Sequence, residues 1–178
     1  MRNDAGPGAF HEPMHSKAMP LTLPAPTLAH LCDLAVQVAP PIDAGLTPQG
    51  RRRLIPITGG VVRGGGLDGR VMPGGADFQL VVTTDDGLQC ATLDARYMLA
   101  LDDGATLYVH NSALRVASAE DAERLLRGEP VPDERIYFRC QPRFETGDAR
   151  HAQLMRQQFV GSGRRGVDCV YLSIYRVL

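Results

Sequence analysis

The feature that most restricts this chain is a glycine-rich turn that opens directly onto an alternating strand. Within residues 71–82, Pro73, Gly74 and Gly75 stop any helix and supply the backbone freedom of a tight turn. From there Asp77, Gln79 and Val81 point to one face, and Phe78, Leu80 and Val82 to the other. A carboxylate and an amide are thereby set on one face of a strand. The same pattern recurs at Gly59-Gly60, Gly64-Gly65-Gly66, Asp85-Asp86-Gly87 and Asp102-Asp103-Gly104, and predicts one repeatedly folded antiparallel sheet.

Taken in order, strands are expected over residues 28–38, 50–62, 67–72, 76–82, 88–101, 105–116, 135–145 and 166–178, with a loop at 41–49 and a turn at 161–165. A helix competes for residues 28–38, where Leu28, Leu31 and Ala35 also fit a helical stripe, but the Pro40-Pro41 stop favours the strand. Pro56 implies an edge or a bulge, and Gly59-Gly60 a sharp bend. Residues 118–128 read as the one clear helix, with Ser118 as N-cap, acids in the first turn and Gly128 at its end; residues 149–156 suit a second short one. The last strand, apolar on both faces, is expected to close the sheet beside the first. About eight strands and one short helix without a parallel crossover pattern indicate a mainly β fold, a single antiparallel β-barrel over residues 27–178 behind a flexible N-terminal extension at 1–26; a β-sandwich is the alternative.

Composition removes several function classes. At 178 residues the chain suits one domain, and its net charge of -1 with an aromatic fraction of 6% and no Trp argues against nucleic acid as partner. No run approaches the roughly 18 apolar residues of a membrane span, and no signal peptide is evident, so no membrane partner is expected. Cys32, Cys90, Cys140 and Cys169 stand far apart without metal-finger spacing; they read as buried small hydrophobes in a reducing cytoplasm, with no metal and no cofactor expected. His30, His110 and His151 show no ligand spacing, the glycine runs lack a following phosphate-binding helix, and no Gly-x-Ser-x-Gly elbow is present.

Several blocks then occur in a characteristic order: Ile55-Pro56-Ile57-Thr58-Gly59-Gly60, Pro73-Gly74-Gly75-Ala76-Asp77-Phe78-Gln79, Leu93-Asp94-Ala95-Arg96-Tyr97, Asp102-Asp103-Gly104-Ala105, Tyr137-Phe138-Arg139 and Pro142-Arg143-Phe144-Glu145-Thr146-Gly147. With these the chain resembles the bacterial family known as domain of unknown function 3237, from about residue 28 to residue 178. The resemblance implies a compact β-barrel, calycin-like or allene-oxide-cyclase-like, and brings no settled activity and no catalytic residues with it.

Two readings of the polar positions follow. If they face the barrel interior, Asp77, Glu145 and Tyr97 are the candidate catalytic groups, and Gln79, Arg96, Arg139 and Arg143 the candidate ligand-binding ones. The protein would then bind a small anionic or phenolic organic molecule, and as an enzyme would act as a cofactor-free isomerase, cyclase or lyase. If they face outward, the core is dry and the protein is a carrier or assembly module, with Asp94 and Arg96 as a structural ion pair. The Arg51-Arg52-Arg53 run reads as a solvated strand entrance with an acidic ligand as the rival, and self-association as a homodimer or homotrimer is compatible with either reading.

Overall fold

Segments in which apolar residues recur at every second position pair into one continuous antiparallel sheet in the computed structural model, which describes residues 22–178. Ten strands form among the described residues: β1 Leu28–Val38, β2 Ile42–Thr47, β3 Gly50–Arg63, β4 Gly69–Val71, β5 Ala76–Thr83, β6 Leu88–Leu101, β7 Thr106–Ser118, β8 Tyr137–Glu145, β9 Phe159–Arg165 and β10 Cys169–Val177. Eight of them close a ring in the order β1-β10-β9-β8-β7-β6-β5-β3, and β3 returns to β1. The remaining two are additions: β2 forms a hairpin with β3, and the short β4 bridges β3 and β6 beyond the start of β5. The fold is a closed antiparallel barrel, as the recurrent turns predict. Of the extension expected at residues 1–26, residues 1–21 lie outside the described residues.

The barrel closes as the apolar last strand suggests, with β10 pairing β1 from Leu28↔Val177 to Gln37↔Cys169. The irregularity foreseen near Pro56 is a register shift, since Gln37 faces Gly59 while Val38 faces Ile57, which leaves Thr58 as the extra residue. Two expectations fail locally. Residues 41–49 hold strand β2 rather than an open loop. The Gly161-Ser162-Gly163-Arg164-Arg165 stretch is strand β9 rather than a turn, because its glycines serve packing. A Cβ on Gly163 would lie 2.7 Å from the Phe138 ring, and one on Gly161 would lie 2.7 Å from Cys140 Sγ.

One half of the interior is solid. Leu67, Val71, Leu99, Leu107 and Val109 are almost wholly buried there, and Phe144 meets Phe159 edge to face at 5.1 Å. Helix α1, Ala119–Leu126, borders the opposite end. Ser118 caps it, its Oγ accepting from Asp121 N at 3.1 Å and donating to Asp121 Oδ2 at 3.0 Å. Buried Asp121 also receives Arg135 Nη2 at 2.8 Å, which fastens the helix to the segment that leads into β8.

Candidate functional site

The open half of the barrel is a consequence of small side chains. Antiparallel register carries one inward row around the wall, Ile55↔Asp77↔Ala95↔Asn111, and a second above it, Arg53↔Gln79↔Leu93↔Ala113. Ala95 and Ala113 fall short of the barrel axis and leave a cavity of about 50 Å³, enough for a few waters. It widens beneath α1 into a mouth of about 160 Å³ bounded by Arg53, Gln79, Arg115, Arg165 and the helix residues Leu125 and Leu126. The cavity floor and sides are apolar, with Val36, Ile57, Leu93, Phe138 and Leu172 among them.

Four charged groups converge on this space. Asp77 Oδ2 accepts a hydrogen bond from Gln79 Nε2 at 2.6 Å, whereas its buried Oδ1 has no partner among the described residues. Arg53, Arg115 and Arg165 approach from β3, β7 and β9, and among the described residues none of the three has a carboxylate within 4.0 Å. Arg53 is 8% exposed with its Nε unpartnered, and Asn111 Oδ1 is a further buried acceptor without a donor. Burial, opposed by the Gln79 hydrogen bond and the Arg115 charge, holds the Asp77 carboxyl above the ordinary carboxylate range. Burial together with neighbouring Arg165 pushes the Arg115 guanidinium down to about 10, and burial also lowers Arg53 and Arg165; all three stay cationic at neutral pH. Tyr97 faces the same cavity, and burial raises its phenol well above the usual range, so it is a neutral group there.

The comparisons with known proteins agree with this architecture. The family model described as "Protein of unknown function (DUF3237)" matches residues 26–177. The chain belongs to the DUF3237 family. A UPF0311 protein of Rhodopseudomonas palustris is 41% identical over 155 residues, covering 86% of this chain and 99% of that one. A β-barrel-like protein of Acinetobacter baumannii, solved by crystallography, superposes with a TM-score of 0.72 at 34% identity over 89% of this chain and all of the other. A Penicillium herquei enzyme shares the fold alone, with a TM-score of 0.65 at 18% identity over 90% of this chain.

In this DUF3237 barrel the candidates separate cleanly. Asp77, Gln79 and Tyr97 face the cavity. Arg96, Arg139, Arg143 and Glu145 do not: they stand exposed on the outer wall, because antiparallel register places Ala95, not Arg96, opposite Asp77 and turns the odd-numbered positions of β8 to solvent. Arg96 instead pairs with Asp94 at 3.3 Å, and Asp94 also bonds His110 Nε2 at 2.7 Å, a surface network. Sequence reasoning missed Arg115, Arg165 and Asn111 as site groups and underrated Arg53. Arg115 was within reach, since the inward parity of Leu107, Val109 and Asn111 continues through Ala113 to Arg115. Among the described residues no group of three or more His, Cys, Asp or Glu is arranged to hold a metal ion, and no helix is long and apolar enough to cross a membrane.

The raised carboxyl makes a stability prediction. A carboxyl whose folded pKa exceeds its unfolded value lends stability below the unfolded value, near 3.8, and loses it as pH rises through the folded value. Ionised Asp77 is therefore a burden at neutral pH. Asp77→Asn is expected to gain about 1 kcal/mol at pH 7.5, a rise of roughly 2–4 °C in melting temperature, with the advantage vanishing in strong acid. Calorimetry across pH checks this, and a variant less stable than wild type at pH 7.5 would contradict it.

Proposed function

We propose that the barrel interior binds a small organic anion, a carboxylate or a phenolate, and performs cofactor-free acid/base chemistry on it of the isomerase, cyclase or lyase type. The observation that carries this reading is the convergence of three guanidiniums, without partner carboxylates among the described residues, on a cavity to which those residues bring one half-satisfied carboxyl. Cations kept out of water cost several kcal/mol each unless paired, and nothing in the packing of the wall requires them. Arg115 and Arg165 would clamp the anionic end of the ligand in the mouth of about 160 Å³, where Ile55, Leu125 and Leu126 receive its body, while the cavity of about 50 Å³ beneath takes no more than a small group of it.

Asp77 is the proton carrier of this scheme. Its Oδ1 would give a proton to one atom of the ligand and take one back from another made acidic by an adjacent carbonyl or aromatic ring, with no net transfer of electrons. The charge that develops on the ligand oxygen is met by the guanidiniums, and Tyr97 is a neutral donor within the same space.

A thermal-shift screen of small carboxylates, phenols and cyclic ketones tests the reading. An anion at about 100 times its dissociation constant should add about 2.7 kcal/mol of stability, several degrees of melting temperature. The gain should persist in Arg96→Met, because Arg96 lies outside the wall. A screen in which no anion stabilises the wild type would overturn it.

A further inference from the structure

We propose that the interior site binds its anion together with a proton, and that the proton goes to Oδ1 of Asp77. The inference rests on the reading of the cavity as an anion site and adds how that site is governed. Two buried oxygen atoms on the cavity wall, Asp77 Oδ1 and Asn111 Oδ1, have no hydrogen-bond donor among the described residues. They lie in one inward row, two strands apart with the short side chain of Ala95 between them, Asp77↔Ala95↔Asn111. An incoming carboxylate or phenolate offers only acceptors, so it satisfies neither and brings a third acceptor to the same place. One proton on Asp77 resolves the conflict, because the carboxyl becomes an O–H donor aimed into the cavity. It can then donate to the ligand anion, while Oδ2 keeps its 2.6 Å bond from Gln79.

The charges around Asp77 work in the same direction. The groups that face or border it are Gln79 on its own strand, Arg53 from β3, Tyr97 and Asp94 from β6, Arg115 from β7 and Arg165 from β9. The cavity residues from β1, β8 and β10, which include Val36, Phe138 and Leu172, carry no charge. In the free site the Gln79 amide, the guanidiniums and the backbone N–H of Asp94 support an ionised Asp77 against burial. Once a ligand anion pairs with those guanidiniums their support is spent, and a like charge stands nearby. Burial already holds the carboxyl above its ordinary range, so a further rise on binding carries it towards neutral pH. By linkage, anion affinity should increase as pH falls, by up to about tenfold per pH unit between the carboxyl's free and bound values, and level off outside that window.

Calorimetric titration of the full-length chain with benzoate, in two buffers of different ionisation enthalpy at pH 6.5, measures the proton directly. The expected result is net uptake approaching one proton per benzoate bound, abolished in Asp77→Asn, whose benzoate affinity becomes independent of pH. Benzoate binding without proton exchange, or with the same exchange in Asp77→Asn, overturns the coupling and leaves the anion site standing. A second arm needs no ligand. Arg115→Met, or Arg165→Met if the first variant does not fold, imitates a neutralised guanidinium. In carbon-detected NMR the Asp77 carboxyl should then titrate about one pH unit or more higher than in wild type. An unchanged titration there overturns the coupling. Absence of binding by benzoate, phthalate and phenylphosphonate alike counts against the anion site itself.

Discussion

Methionine in place of Arg115 is expected to lower affinity for small carboxylates by at least about a hundredfold while raising the melting temperature. The two effects have one origin. Arg115 reaches the mouth from the inward face of β7 next to Arg165, with Asp77 as the acidic group that offsets it, and burial weakens its hold on its own proton. In the free protein it is therefore a desolvated cation among cations, and its removal relieves the fold. In the complex it is the group that meets the ligand's negative charge. Truncating one partner of a buried, hydrogen-bonded charge pair costs roughly 2–5 kcal/mol, and about a hundredfold is 2.7 kcal/mol. Titration calorimetry and a melting curve on the same sample check both halves. Unchanged carboxylate affinity in this variant would remove Arg115 from the site. The matched substitution Arg96→Met breaks exposed contacts with Asp94 and Tyr108 and should leave both the melting temperature and the carboxylate affinity unchanged.

The second large effect belongs to the wall. Gly60 lies in β3 opposite Val36 of β1, at the crossing where the ring closes, with φ at 135°. A Cβ there would stand 2.1 Å from the backbone oxygen of Ala35, and neither atom can swing aside without parting the two strands. Gly60→Ala therefore combines backbone strain with overpacking, together about 3–5 kcal/mol, or a fall of roughly 10 °C. Gly45→Ala separates the two contributions, because Gly45 has φ at 86° and nothing within 4 Å of its missing Cβ. It should cost only the strain, about 1 kcal/mol. If both substitutions melt together, the close approach of β3 to β1 does not limit stability.

The sequence announces the wall far better than the cavity. Turn chemistry and two-residue alternation depend on neighbours along the chain, so β1 and β6 coincide with their expected bounds and Ser118 caps α1 as predicted. Which face of each strand looks inward depends on register between strands, and this is where the site was misjudged. Polar positions of β5 were grouped with polar positions of β6, but Asp77 is paired with Ala95 and Gln79 with Leu93, so β5 turns its polar face in and β6 its apolar one. Arg139, Arg143 and Glu145 fail for the same reason, since their partners Leu114, His110 and Tyr108 belong to the outer face. Arg165 was hidden differently. Gly161 and Gly163 carry no side chain to mark the alternation of β9, so its one inward arginine reads as part of a turn.

The closure of β1 against both β3 and β10 also sets an order on biosynthesis. While a ribosome is still producing residues 39–168, β1 can find β3 on one side, but its other edge has no strand to meet until Cys169–Val177 emerges. A growing polypeptide therefore exposes an unpaired edge and an open apolar trough through most of its translation, the kind of surface that recruits neighbouring nascent chains. Premature termination just before β10 would leave a product with nearly all its strands and no lasting way to seal them. Such a fragment should go to chaperones and proteases rather than accumulate as a smaller, working protein.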